Sequence, residues 1–510
     1  PEFKAWLIDM AADKPAPPAS LKAAPRPKVA AGPAKAAPKP GAAPDAAAYA
    51  REAVRLFAIG VDLHRRGRLA DAVRAYGRSL LFNPHVPDVY NNLGVALRAQ
   101  GKREAAVASY RRAVALNPEA ANYRSNMGNA LRELGRFEDA AVALQQALRL
   151  APGSPEILYN FGLVLREMGR SDTALGCFNA VLKAKPDHAE AHFDRALTFL
   201  QMGDFKQGFA EFEWRWKLRR ARPRAFKQPA WDGRDLAGAT LFVHHEPGLG
   251  DTIQFARYAA LARKKGGRVI VECPAELARL LETLDGVERV VIHGSPLPPF
   301  DVHAPLLSLP RLLGTTAETV PADVPYLRPP SLNPLGLPAA DPKAIRVGVV
   351  WSSEAHAGDN RPGEDRHRAC PFPHVLELAG VPGVTLYSLQ RGEAAGDLGR
   401  HAAEALMLDV GGLMADYADA AAAVARLDLV VGVDVPMIHL AGALGVPTWT
   451  LLSGIGDWRW GAAGETTPWY PTMRLLRQKT RGDWAGLLAF ARDTLARAVR
   501  EGSLGRARRA

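Results

Sequence analysis

The chain has 510 residues, 48% of them hydrophobic and 23% charged; that apolar share excludes a wholly disordered or collagen-like polymer, and the length makes room for about three folding units. The 65 basic against 53 acidic residues leave a net charge of +12, spread thinly with no dense Lys/Arg run interleaved with aromatics, so no nucleic-acid partner is expected. Three widely separated cysteines, Cys177, Cys273 and Cys370, with no CxxC pair, exclude a disulfide framework and a zinc ribbon and fit a reducing, cytoplasmic setting.

Residues 1–48 are expected to be an arm: from residue 11 they are almost entirely Ala, Pro, Lys and Gly, which offer nothing large to bury and punctuate any helix. No basic region followed by an apolar stretch opens the chain, so no export signal is expected. The longest apolar run, Leu427 to Leu452, is broken by Asp428, Asp434 and His439 and reads as strand, turn, helix and strand rather than as a membrane span.

From residue 49 to 222 the chain repeats itself. Gly60, Gly94, Gly128 and Gly162 are 34 residues apart, as are Gly67, Gly101, Gly135, Gly169 and Gly203, and the closing prolines Pro84, Pro118, Pro152 and Pro186 keep the same step. With units beginning at residues 53, 87, 121, 155 and 189, small residues fall at positions 8 and 20, an aromatic or Leu at 24 and Gly at 15, with Pro at 32 in the first four. This pattern resembles the tetratricopeptide repeat. Small residues let the two helices of each hairpin approach, Gly turns the chain between them, and Pro ends the second. Five such hairpins predict an α-solenoid, a superhelix with a concave face. Position 6 carries Asn92, Asn126, Asn160 and Asp194. An Asn amide both donates and accepts, so this ladder can grip a peptide backbone or can simply join neighbouring helices. It resembles the ladder of the O-GlcNAc transferase superhelix, which implies a protein held in the groove.

Beyond Pro223 short apolar runs alternate with helical stretches, the signature of parallel α/β architecture. Strands are predicted at Thr240–His244, Arg268–Glu272, Arg289–Ile292, Arg346–Trp351, Val384–Ser388, Leu429–Val433 and Thr448–Leu452. Helices are predicted at Thr252–Lys265, Ala275–Leu284, Tyr417–Arg426 and Ile438–Leu444. Two Rossmann-like domains, 236–335 on the acceptor side and 343–500 on the nucleotide side, would flank one cleft, with a basic tail over 501–510. Ligands would lie at the carboxyl ends of the strands.

Three segments carry candidate chemistry. After the first strand comes Glu246-Pro247-Gly248-Leu249-Gly250-Asp251, then Thr252-Ile253-Gln254-Phe255-Ala256-Arg257. Gly248 and Gly250 let backbone approach an anion at a helix start, and Asp251 is either a base or an N-cap. After Trp351, Ser352 opens a polar loop carrying Arg366 and Arg368, guanidiniums that fit phosphate or simply face water. Near the C-terminus, Asp434 ends a strand ahead of Pro436-Met437-Ile438-His439-Leu440-Ala441-Gly442; a His on so apolar a helix is a ligand group or a core residue. Asp457-Trp458-Arg459-Trp460 and Pro468-Trp469-Tyr470-Pro471 follow; their rings can stack on a base or sugar, or pack the C-terminal extension across the cleft.

These segments resemble bacterial tetratricopeptide-linked glycosyltransferases, relatives of the heptosyltransferases, over all but the N-terminal arm. The resemblance implies a GT-B fold and an inverting protein O-glycosyltransferase that moves a sugar from a nucleotide sugar to Ser or Thr. Asp251 would be the general base, and Gly248, Gly250, Ser352, Arg366, Arg368, Asp434, His439 and Gly442 would hold the donor. Similar enzymes modify flagellin, some with nonulosonic acids such as pseudaminic acid carried on CMP, which makes flagellin the leading acceptor. Val435 departs from the family's Thr and removes a hydroxyl at the phosphate. No Asp-x-Asp occurs, so metal-independent transfer is expected, with no cofactor beyond the nucleotide sugar. Two rivals stand beside this reading: a lipopolysaccharide or glycan transferase, and a scaffold with a degenerate transferase region.

Overall fold

The computed structural model describes residues 46–331, 335–338, 341–353, 369–454 and 456–504. The chain divides into two compact units, Pro1–Ala191 and His192–Ala510.

The first unit is a stack of antiparallel helix pairs. They are α1 (Ala46–Arg65) with α2 (Leu69–Phe82), α3 (Pro87–Ala99) with α4 (Arg103–Leu116), α5 (Ala121–Glu133) with α6 (Phe137–Leu150), and α7 (Pro155–Glu167) with α8 (Ser171–Ala184). Each position-8 glycine exists to admit a ring or branch from its partner helix. A Cβ would come within 2.5 Å of Tyr76 at Gly60, 2.6 Å of Tyr110 at Gly94, 2.7 Å of Leu144 at Gly128 and 2.7 Å of Phe178 at Gly162. The position-15 glycines turn the chain with φ of 74° to 83°, a conformation a Cβ disfavours. Neighbouring hairpins are tied by side chains at a constant offset: Asn126 Nδ2 donates to Asn91 Oδ1 at 2.9 Å and Asn160 Nδ2 to Ser125 Oγ at 3.3 Å. Arg132 pairs with Glu167 at 2.7 Å, and Arg98 with Glu133 at 3.5 Å.

The start of the stack differs from its interior. Positions 3 and 10 bury Val89 and Ala96 against Ala72 and Tyr76 of the preceding hairpin, and Tyr123, Ala130, Ile157 and Val164 are likewise buried. In α1 the same positions are Arg55 and Asp62, both exposed.

The second unit begins inside the fifth repeat, where the sequence placed the change of character at Pro223. Helix α9 (Ala189–Gln201) runs through the junction, and α10 (Phe205–Phe212) follows. Phe205, Phe209 and Phe212 share one core with Phe255, Trp458 and Trp469, which is why this hairpin belongs with the α/β region. The strands are β1 (Thr240–His244), β2 (Arg268–Cys273), β3 (Arg289–Ile292), β4 (Val302–Pro305), β5 (Ile345–Val350), β6 (Val384–Ser388), β7 (Met407–Asp409), β8 (Leu429–Val433), β9 (Thr448–Leu452) and β10 (Met473–Arg477). They form two wholly parallel sheets of order β3-β2-β1-β4 and β10-β9-β8-β5-β6-β7. Read from β7, the second order is 3-2-1-4-5-6, that of doubly wound nucleotide-binding sheets. β1, β8 and β9 are buried at every residue, which explains the apolar stretches of β1 and β8 and encloses Thr448 and Thr450 of β9.

Helices cover the sheets: α11 (Leu249–Ala256), α12 (Tyr258–Arg263), α13 (Ala275–Leu281), α14 (Tyr417–Val424), α15 (Pro436–Ala443) and α16 (Trp484–Glu501). The helix expected over Thr252–Lys265 is in fact two, breaking at Arg257, which turns inward. Its guanidinium donates to Gln254 O at 2.9 Å, Pro321 O at 2.8 Å, Trp469 O at 2.6 Å and the Tyr326 hydroxyl at 3.0 Å.

Candidate functional site

The loop from β1 to α11 is pinned from both sides. Glu272, wholly buried at the end of β2, accepts the His245 N–H at 3.0 Å and pairs with the Arg224 guanidinium and with His293 Nδ1 at 3.2 Å. Glu246 receives both prongs of Arg215, at 2.8 and 3.0 Å, and the Leu307 N–H at 3.1 Å. Arg215 belongs to the Trp214-Arg215-Trp216 ending of the fifth repeat; that ending clamps the glycine loop. Burial, with the neighbouring His303 and Arg224, pushes the His244 imidazole down to about 4, and burial beside His293 does the same to His245.

Gly248, with φ 127°, is the N-cap of α11. The N-cap alternative for Asp251 is therefore overturned: Asp251 lies in the first turn, and a Cβ at Gly248 would come within 2.5 Å of its Oδ2. Gly250, the next glycine, faces the second sheet, where a Cβ would meet His439 Cδ2 at 2.9 Å and Pro436 Cα at 3.7 Å. The first turns of α11 and α15 thus lie in contact, each at the carboxyl end of a parallel strand. A helix start carries partial positive charge and free N–H groups.

Asp251 is a quarter exposed and ion-paired: Arg459 Nη2 holds its Oδ1. The same guanidinium donates to Gln254 Oε1 at 2.6 Å and Asp457 Oδ1 at 2.7 Å, and lies 4.4 Å from the Trp458 ring centre. Burial alone would lower the Arg459 pKa, but Asp251, Asp457 and Asp434 outweigh it and the net shift is upward. Sequence reasoning gave Arg459 no role; its flanking tryptophans, which enclose a charge, were the available signal.

His439 is 5% exposed, stacked on Trp460, with Nδ1 3.0 Å from the Tyr470 hydroxyl and Nε2 3.9 Å from Asp434 Oδ1. It packs beneath Gly250, within the α15 segment from which the donor contact is expected. At Gly442 a Cβ would come within 2.5 Å of the Tyr470 ring, so the missing side chain admits that ring. Ser352 lines a small pocket of about 10 Å³ together with Gln390, Arg391, Tyr417, Val435 and Pro436. This pocket lies where the order of the second sheet reverses, the usual ligand position of such sheets. Gln390, unforeseen from sequence, shapes it by accepting the Trp351 and Ser352 N–H groups at 3.0 and 2.9 Å. Arg366 and Arg368 lie outside the described residues. The first turn of α15 joins the two places, with Val435 and Pro436 on the pocket and Pro436 beside Gly250.

In the repeats, the amides of Asn126 and Asn160 are spent between neighbouring hairpins, and Asn92 Nδ2 donates to Asp88 O at 2.9 Å in its own helix. Asn126 and Asn160 thus join neighbouring hairpins, and these half-buried side chains keep their Oδ1 acceptors and a second N–H. Asp194 lies nearly buried in α9, in the second unit.

The molecule is thus a helical repeat array followed by a parallel α/β region. Tetratricopeptide repeat models match residues 57–102, 91–155 and 131–198, and the chain carries these repeats. Protein FlbA of Caulobacter vibrioides is 29% identical over 316 residues, 56% of this chain and 51% of FlbA, so the match spans about half the length of that relative. Among solved structures, MamA is 24% identical and covered over 93% of its length against 31% of this chain, with a TM-score of 0.29. YrrB, a TPR protein with an unusual peptide-binding site, is 20% identical, covered over 94% against 34% of this chain, with a TM-score of 0.30.

Proposed function

We propose that the chain is an inverting GT-B protein O-glycosyltransferase that moves a sugar from a nucleotide sugar to Ser or Thr of a protein held by the repeats, with flagellin as the leading acceptor. The observation that carries this reading is the contact between two helix starts, each at the end of a parallel strand, with Asp251 in one and the pocket of Ser352, Arg391 and Tyr417 beside the other. Asp251 accepts the acceptor hydroxyl proton as the oxygen attacks the anomeric carbon, and the carbon–oxygen bond to phosphate breaks. The first turn of α15 and the Arg391 side chain face the charge that develops on the departing phosphate. The FlbA alignment is longer than the stretch matched by the repeat models, which supports a likeness extending beyond the repeats and favours a flagellar acceptor.

Two measurements test the proposal. In a thermal-shift panel of UDP, GDP, ADP and CMP, one nucleotide should raise the melting temperature of the full chain; no response to any of them argues for the scaffold. Intact-mass measurement of co-expressed flagellin should show an added glycosyl mass that disappears with Asp251→Ala. Unmodified flagellin with the wild-type chain would overturn the acceptor.

A further inference from the structure

We propose that Arg459 is the positioning residue for Asp251: by occupying Oδ1 it fixes the carboxylate so that Oδ2 is the oxygen left to take the acceptor proton. The inference rests on the transferase reading of Asp251.

Four observations support it. All three guanidinium nitrogens are committed, Nε to Gln254, Nη1 to Asp457 and Nη2 to Asp251. The side chain is 10% exposed and flanked by Trp458 and Phe255 at 4.4 and 5.7 Å. Three of its five N–H groups are thus committed within the fold, and its rigid fork suits it to orienting carboxylates. On the other side of Asp251, Oδ2 lies against Gly248, in space that exists because that residue has no Cβ. No other hydrogen bond to Asp251 occurs among the described residues. The hydroxyl proton would therefore pass to Oδ2 while the nucleophilic oxygen bonds carbon, the electron pair of the broken bond leaves with the phosphate, and Oδ2 later returns its proton to water. Because Arg459 follows β9 in the second sheet and Asp251 follows β1 in the first, the carboxylate is oriented by both halves of the α/β unit together.

The test uses the full chain and two variants, Arg459→Gln and Arg459→Lys. Carbodiimide coupling of glycine ethyl ester to Asp251, read by peptide mass, should rise several-fold in Arg459→Gln, with Arg459→Lys between it and wild type, because a lysine cannot hold three partners at once. In the transfer assay Arg459→Gln should lower kcat at least about ten-fold while KM for the acceptor stays within about two-fold, and Arg459→Lys should restore part of kcat. Equal labelling of Asp251 in wild type and a folded Arg459→Gln overturns the inference, as does a raised KM with unchanged kcat. Should Arg459→Gln fail to fold, Arg459→Lys decides alone: labelling equal to wild type overturns the inference, and faster labelling supports it. A wild-type chain that transfers to no acceptor, yet shows the ordered labelling, overturns the transferase reading and leaves the hold of Arg459 on Asp251 standing.

Discussion

In the repeat unit the ties between hairpins recur at one offset, Asn126 to Asn91 and Asn160 to Ser125, Arg132 to Glu167 and Arg98 to Glu133. In the α/β unit they join residues far apart in the chain: Arg215 to Ser308, Asp251 to Arg459, Arg257 to Trp469. A repeated tie is individually replaceable, because its neighbours make the same contact again and each hairpin touches only the next. A tie made once, by a buried charge, has no substitute.

The largest test of that difference is where the second unit begins. A chain starting at Asp187 keeps Phe205, Phe209 and Phe212 over Phe255, Trp458 and Trp469 and should unfold cooperatively; one starting at Pro223, the boundary suggested by sequence, should lose its cooperative transition in calorimetry. Next comes Arg257→Met, which leaves three carbonyls without their donor. It should cost about 3–5 kcal/mol in denaturant titration, with the loss confined to the transition of the second unit.

Acid should act on the same unit. The His244 and His245 pKa values are lowered to about 4 in the fold, so between about pH 6.5 and 4 the unfolded chain binds more protons than the folded one. Stability therefore falls as pH drops through that window, by roughly 3 kcal/mol for each residue, and His244→Gln should flatten the slope of melting temperature against pH. In the repeats, Gly162→Ala drives a Cβ into Phe178 and should cost about 1–3 kcal/mol. Arg132→Ala should cost under about 1 kcal/mol; a larger loss would mean that the repeated ties are not replaceable after all.

The same difference decided what could be read from sequence. The 34-residue step exposed Gly94 and Gly162 because each repeats a physical demand, and β1 and β8 were legible because burial on both faces leaves a near-continuous apolar stretch. β4, β7 and β10 went unread: they are short or lie at a sheet edge, and their composition mixes with loops. Asp251 was legible as a charge beside glycines at a helix start, but its partner was not, since a pair formed once across 208 positions leaves no periodic trace. His439 and Gly442 signal close approach on an apolar helix without saying what approaches; the fold brings Gly250 and Tyr470 against them.

The exposed Arg55 and Asp62 on α1 bear on how such an array can lengthen. A hairpin added in front of α1 would meet two charged side chains where the internal junctions offer Val89 and Ala96, Tyr123 and Ala130, or Ile157 and Val164, and burying those charges is costly. A duplication of residues 121–154, by contrast, would present matching apolar flanks to both neighbours. An engineered array should therefore accept an extra hairpin in its middle more readily than ahead of α1.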